Sequence, residues 1–282
     1  MIVTTTGTGT PIPHPDRAGP GTHVQFGDLR LQFDVGRMTL NRLVQMDVAP
    51  RDLSAVFLTH YHSDHLAGLT DLALSHWVMD WHDDAEPLPV VAPTGHTTEF
   101  VDRMFSIWDH DLAVRSLHGG RTPAPKIEAV GFDVPESPTL VWAKGDVRVL
   151  AGQVRHEPVE GAVGYRVETP VGVVAISGDT RVCDEMAALA QGADVVVYEA
   201  MRLDSVLARR PNLQYIAEYH ADTRMIGAQC QELEIPTVML THLIPAPADN
   251  EEREQFVSDV RSGGYTGDVI VCDDLSSVEI SR

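Results

Sequence analysis

Apolar and polar residues alternate in short runs at the start of the chain, and alternation with a period of two predicts strands. Residues 2–6 also read as a strand, broken by Gly7-Thr8-Gly9-Thr10-Pro11. Runs at 23–26 and 29–33 predict a hairpin around Gly27-Asp28. The unbroken apolar run 53–58 predicts a buried strand. The period then lengthens. Leu69, Leu72, Leu74 and Trp77 predict a helix over 68–81, and Phe100, Met104 and Ile107 another over 96–108, with a short strand at 89–92 between them. Residues 109–137, with Gly119-Gly120 and Pro123-Ala124-Pro125, are expected to be loop. Strands are expected again at 139–143, 147–154, 164–168, 171–176, 194–198, 236–240 and 269–272, with helices at 183–191, 212–234 and 250–262. Interleaved strands and helices without a linker predict an α/β fold, one layered domain over residues 1–282.

Composition narrows this picture. The chain has 282 residues, 43% of them hydrophobic, enough for a substantial core. No apolar run approaches the roughly 18–20 residues of a membrane helix, and the N-terminus has no basic start or signal-like core. A cytoplasmic location is therefore expected. Cys183, Cys230 and Cys272 have no C-x-x-C spacing and predict buried thiols. Acidic residues number 41 against 21 basic, for a net charge of -20, and Lys126 and Lys144 are the only lysines. That field repels nucleic-acid phosphates at long range, so a nucleic-acid partner is not expected.

The chemistry concentrates in Thr59-His60-Tyr61-His62-Ser63-Asp64-His65, directly after the apolar run 53–58. His60 and His62 alternate along extended backbone and can point the same way. Asp64 and His65 follow where the chain turns and can face a second point. One loop can thus serve two metal ions. Imidazole with carboxylate suits zinc first, and also manganese or iron. Three later residues complete a ligand set, each after an expected strand: His156, Asp179 and His242. Strand ends are rigid and reach a cleft, which is where preorganised ligands sit.

With these seven residues in this order, the chain resembles the metallo-β-lactamase superfamily over nearly its whole length. The Gly7 to Pro11 turn, Tyr198-Glu199-Ala200 and His220 resemble the branch of ribonuclease Z and the group III arylsulfatases. The resemblance implies an αββα sandwich with the site at one edge of its two sheets. It implies His60, His62 and His156 on one metal, Asp64, His65 and His242 on the other, and Asp179 bridging. Two cations about 3.5–4 Å apart can share a water and bring its pKa near neutrality. The bridging hydroxide would be the nucleophile and Asp64 an acceptor for its proton, so the expected enzyme is a metal-dependent hydrolase. His220, just before the helix-capping Asp222, is a candidate acid or oxyanion donor. Glu199 is a candidate to orient it.

The expected substrate is a small sulfate, phosphate, carboxylic ester or lactone. The alternative is a transfer-RNA 3′-processing endonuclease of the ribonuclease Z kind. The nuclease branch usually carries an arm between the third histidine and the bridging aspartate. Here His156 and Asp179 are only 23 positions apart. Di-iron flavoproteins of this fold place a glutamate where His62 stands and add a flavodoxin-like domain, and neither occurs here. A non-catalytic module has no use for seven ligands. The extra length lies around 77–138, where a lid or a homodimer contact is expected. Arg17 is expected at the surface, with pairing to an anionic substrate the alternative. Trp77, Trp81 and Trp108 are expected in core or subunit packing, or in an aromatic pocket.

Overall fold

In the computed structural model, which describes residues 1–120 and 124–281, two seven-stranded sheets lie face to face between outer layers of helices. Hairpin chemistry builds the antiparallel part of the first sheet. Strand β1 (Ile2–Gly7) pairs with β2 (Gly21–Phe26), and β2 pairs with β3 (Leu29–Phe33) across Gly27, whose φ of 56° suits the tight turn. Three parallel strands follow, β4 (Ala55–Phe57), β5 (Leu88–Pro93) and β6 (Ile127–Phe132). The helices that link them are α1 (Thr39–Gln45), α2 (Ser63–Leu66), α3 (Leu69–Val78), α4 (His96–Arg103) and α5 (Asp109–Gly119).

The second sheet repeats the plan. Strands β7 (Thr139–Lys144), β8 (Val147–Gln153), β9 (Val163–Thr169) and β10 (Gly172–Ile176) run antiparallel. Strands β11 (Val195–Met201), β12 (Thr237–Ile244) and β13 (Asp268–Val271) then add in parallel to β10. Helices α6 (Asp184–Ala190), α7 (Leu203–Arg209), α8 (Thr223–Glu232) and α9 (Asn250–Ser262) accompany them. The last strand, β14 (Ser277–Glu279), returns to pair with β1.

Three apolar clusters fill the layers. Between the sheets, Val3, Phe33, Phe57, Tyr165 and Ile176 interdigitate, with Phe33 and Phe57 stacked at 4.7 Å. Leu43, Leu69 and Leu72 pack helices on the first sheet, and Leu189, Ile226 and Phe256 pack them on the second. This is an α+β layered αββα sandwich. No helix among the described residues is long and apolar enough to cross a membrane.

The structure differs from the periodicity reading in identifiable places. Residues 109–119 are helical and Ile127–Phe132 is an edge strand, where loop was expected. The mostly polar face of this helix, with Leu112 its one buried residue, hides the helical period. The expected segment 77–138 thus supplies β5 and β6 to the first sheet as well as α4 and α5. Pro123 of the expected proline-rich turn lies outside the described residues. The single expected helix at 212–234 is a 3-10 segment at Pro211–Glu218, a break, and then α8, capped by Asp222. Strand β14 and helix α7 have no distinct periodic signal. Trp77 is core, whereas Trp81 is exposed. Arg17 is buried, not superficial: it donates to Thr8 Oγ1, to the Cys272 carbonyl and to Asp273, tying the first loop to the end of the chain.

Candidate metal centre

The parallel parts of both sheets aim their carboxyl ends at one edge, and the chemistry gathers there. After β4 the chain runs extended through Thr59 and His60. His62 then enters the single turn α2, which places Asp64 and His65 side by side. Across the sandwich, His156 follows β8. Asp179 follows β10 through Gly178, which has a φ of 60° and whose added Cβ would stand 2.9 Å from Thr59. A side chain at 178 would push the two halves apart at the site. His242 is the extra residue of a bulge in β12, since Glu199 pairs with Thr241 and Ala200 with Leu243. Its φ of 46° turns the ring out of the ladder and into the centre.

The structure brings all seven sequence-predicted ligands together. Ligand atoms of His60, His62, His156 and Asp179 form one group within 4.8 Å of one another, and those of Asp64, His65 and His242 a second. Asp179 touches both. Its Oδ2 is 4.0 Å from His60 Nε2, 3.9 Å from His156 Nε2 and 3.3 Å from His242 Nε2, and its Oδ1 is 3.2 Å from His65 Nε2. Asp64 Oδ2 lies 3.5 Å from His242 Nε2 and 3.7 Å from His65 Nε2. An ion with bonds of about 2.0–2.1 Å in tetrahedral array spaces its ligands roughly 3.3 Å apart, so these separations suit shared ions.

A second observation supports the fit. His60 Nε2, Asp64 Oδ2, His65 Nε2, Asp179 Oδ1 and His242 Nε2 are buried without a hydrogen-bond partner. Five orphaned polar atoms in one place are costly unless something else satisfies them. The far sides of three rings, His60, His65 and His156, are satisfied. His65 Nδ1–H donates to Asp34 Oδ2 at 2.8 Å. The Thr59 hydroxyl donates to the same carboxylate at 2.8 Å and accepts from His60 Nδ1 at 2.9 Å. His156 Nδ1 donates to the Tyr219 carbonyl at 2.9 Å. These partners fix the tautomers, leaving each Nε2 lone pair aimed inward.

The electrostatics follow from burial and charge. Burial pushes His60 well below its ordinary pKa and His156 down to about 4, so both rings stay neutral and able to ligate. Burial also disfavours a charged His65, but Asp179 and Asp34 outweigh it and hold that ring well above the ordinary value. Burial raises Asp179, yet His242 and His65 prevail and keep it well below the usual carboxylate range. Five imidazoles around two carboxylates need a net cation to lie neutral and ligating.

His220 and Glu199 form a further pair beside the centre, with a ring nitrogen of His220 within 4.8 Å of ligand atoms of Asp179 and His242. His220 Nδ1 is 2.9 and 3.0 Å from the two oxygens of the buried Glu199. Glu199 is itself gripped by the Thr180 amide at 2.7 Å. Burial lowers His220, but the charge of Glu199 dominates and raises it to about 9. It therefore carries a proton at neutral pH. His220, His62, Asp179 and His242 open into a cleft of about 600 Å³, whose other walls include Thr10, Pro11 and Tyr219. The first glycine-rich loop therefore borders the centre.

Sequence reasoning missed Asp34. It follows β3 with a φ of 52°, and a lone aspartate at a strand end reads as a turn residue. Its only signal is the apolar strand before it. The Tyr219 carbonyl carries no signal, because a backbone group is the same in every residue.

Comparison with known proteins places the chain in a family. A family model described as "Beta-lactamase superfamily domain" matches residues 28–243. The chain is 35% identical to a ribonuclease Z of Mycobacterium bovis (strain BCG / Pasteur 1173P2) over 282 residues, covering 99% of this chain and 98% of that protein. Among solved structures, the metallo-beta-lactamase fold protein YhfI from Bacillus subtilis superposes with a TM-score of 0.75 at 19% identity, covering 98% of each chain. Human tRNase Z, short form, does so with a TM-score of 0.74 at 19% identity, covering 100% of each. The mycobacterial relative overturns the expectation of a small-molecule substrate and no nucleic acid. Two inferences misled. An alignment of 282 positions covering 98% of that protein leaves no room in it for a long arm that this chain lacks. And net charge is a whole-surface average, silent on where the few unpaired cations stand.

Proposed function

The chain belongs to the beta-lactamase superfamily and is a metal-dependent hydrolase, and from that premise we propose that it is an endonuclease of the ribonuclease Z kind, acting in the cytoplasm on transfer-RNA precursors at their 3′ end. The observation that carries this reading is the similarity to a protein named ribonuclease Z over the full length of both chains. The donor set fits a pair of zinc ions: His60, His62, His156 and Asp179 would hold one, and Asp64, His65 and His242, with Asp179 beside them, would hold the other. When bound, such a pair supplies a water acidified to near neutrality and a Lewis-acid grip on the phosphate.

The rest is the work of the chain itself. Asp34 and Thr59 hold the rings of His65 and His60 in fixed tautomers, so no reorganisation is needed at the moment of reaction. Asp64 stands to accept the proton of the attacking water. One P–O bond forms to the water oxygen and one breaks to a ribose oxygen. His220, protonated at neutral pH, donates its Nε2 proton to that leaving oxygen while Glu199 keeps Nδ1 engaged. Residues 1–282 form one domain in this reading. The exposed Ile107 and Trp108, between α4 and α5, and Leu117 of α5 support a role for the segment 77–138 as a lid or homodimer contact.

The test is cleavage of an in vitro transcribed precursor transfer RNA bearing a 3′ trailer, with zinc or manganese added. Nitrophenyl sulfate, phosphate diesters, carboxylic esters and lactones are run in parallel. A single cut at the base of the trailer is expected. Turnover of any small ester with the precursor left intact overturns the reading.

A further inference from the structure

An acidic protein that holds RNA must reserve some cations from its own carboxylates. Among the described residues, Arg51, Lys144, Arg181 and Arg210 are the basic side chains with neither an ion pair nor a hydrogen bond; most others are matched, as Arg202 is to Asp259 and Arg209 to Glu252. Two of these four stand beside the site. Arg210 lines the 600 Å³ cleft that contains His62, Asp179 and His242. Arg181 lines a second cleft of about 530 Å³, formed with Arg155 and α6. The two clefts share His220.

This arrangement is what an endonuclease requires and a small-ester hydrolase does not. A chain cut in its interior must leave the centre in two directions, with phosphates on both sides of the scissile bond. A guanidinium fork matches a phosphate with two parallel hydrogen bonds. The neighbour of Arg210 along the chain, Arg209, is neutralised by Glu252, so the cleft keeps one free charge and not a paired one. Tyr215 lines the same cleft, its ring tilted against Tyr219, and at 54% exposure it still offers surface for a base to stack on.

We propose that Arg181 and Arg210 hold the RNA backbone on the two sides of the scissile phosphate, one in each cleft that meets at His220, and that Tyr215 stacks a base beside Arg210. The proposal rests on the reading of the substrate as RNA. It assigns these residues to substrate positioning and not to the bond-breaking step.

The experiment uses the full chain with zinc and a precursor transfer RNA, measuring KM, kcat and binding by fluorescence anisotropy across a salt series. Arg181→Gln and Arg210→Gln are each expected to raise KM about 10-fold or more, with kcat within about twofold. Each should also flatten the slope of log affinity against log salt by roughly 0.7–0.9, one phosphate contact. Arg→Lys at either position should restore most of the slope. Tyr215→Ala should weaken binding about 10-fold without changing the slope. Arg51→Gln and Lys144→Gln, outside both clefts, serve as charge-matched controls and should change neither quantity. If precursor is cleaved but the two arginine variants behave like these controls, the proposal is overturned. A fall in kcat that tracks a fall in melting temperature overturns it too. If the unaltered protein neither binds nor cleaves RNA, the functional reading fails first and takes this proposal with it.

Discussion

The two halves of the sandwich follow the same plan but supply their ligands in opposite ways. The first sheet delivers four ligands from one loop, His60 to His65, in six consecutive residues after a single strand. The second delivers one at a time, with His156 after β8, Asp179 after β10 and His242 inside β12. A loop that carries several ligands can fold locally and wait for metal. Ligands spread over three strands are placed only when the whole sheet is formed and packed against its partner. The second half therefore couples the site to global folding, and Asp179, which touches both ligand groups, is where the two meet.

The largest effect is expected where that difference is concentrated. Asp179→Ala removes the one carboxylate common to both ligand groups. Metal content should fall toward zero and turnover by on the order of 10⁴-fold, as when a member of an interdependent set is lost. His242→Ala, which belongs to one group, should retain close to one metal per chain. Equal metal content in the two variants, read by atomic emission, would rule out a bridging role for Asp179.

The next effect separates chemistry from metal binding. Glu199→Gln and His220→Ala both disrupt the pair beside the centre in the second half. Each should lower kcat about 10²- to 10³-fold with metal content unchanged, the range typical of a lost general acid. Loss of metal in either variant would move the pair from proton donation to ligand support.

On the first half, the matching support is Asp34, which holds His65 directly and His60 through Thr59. Asp34→Ala should weaken zinc about 10- to 100-fold, measured by competition with a chelator. Saturating zinc should restore most of the activity. Failure of zinc to rescue it would mean that Asp34 does more than orient the rings.

The same contrast between the halves decides how much of the site is legible in the sequence. The loop ligands are legible because six adjacent residues share one short backbone path, and few roles besides metal binding call for H-x-H-x-D-H. His156, Asp179 and His242 are legible only jointly, each ending an expected strand. Asp34 is not, because its role arises only when β3 and β4 pair and bring it to Thr59. Helix α5 is hidden by its polar face, and the partner reading failed because charge was summed over the surface before it was located. Arg181 and Arg210 matter through the acids they lack, and ion pairing is a property of three-dimensional proximity, invisible in composition.

The smallest expected effect tests the seam itself. The Tyr165 hydroxyl, on β9 of the second sheet, donates at 2.6 Å to the Leu58 carbonyl, one residue beyond β4 of the first. Close by, the Val163 amide donates to the Thr59 carbonyl at 3.0 Å. Tyr165 is fully buried, so its hydroxyl has no water to turn to. Tyr165→Phe keeps the ring against Phe33 and Phe57 and deletes only the bond. The cost should be about 1–2 kcal/mol, which includes leaving the Leu58 carbonyl unsatisfied. For a domain of this size that is roughly 2–4 °C in melting temperature. Because the amide bond to Thr59 remains, zinc affinity should hold within about threefold. A melting temperature that stays put while zinc affinity falls tenfold would show that this bond positions the ligand loop more than it joins the sheets. Register across the seam would then be set by the metals and not by the packing between the halves.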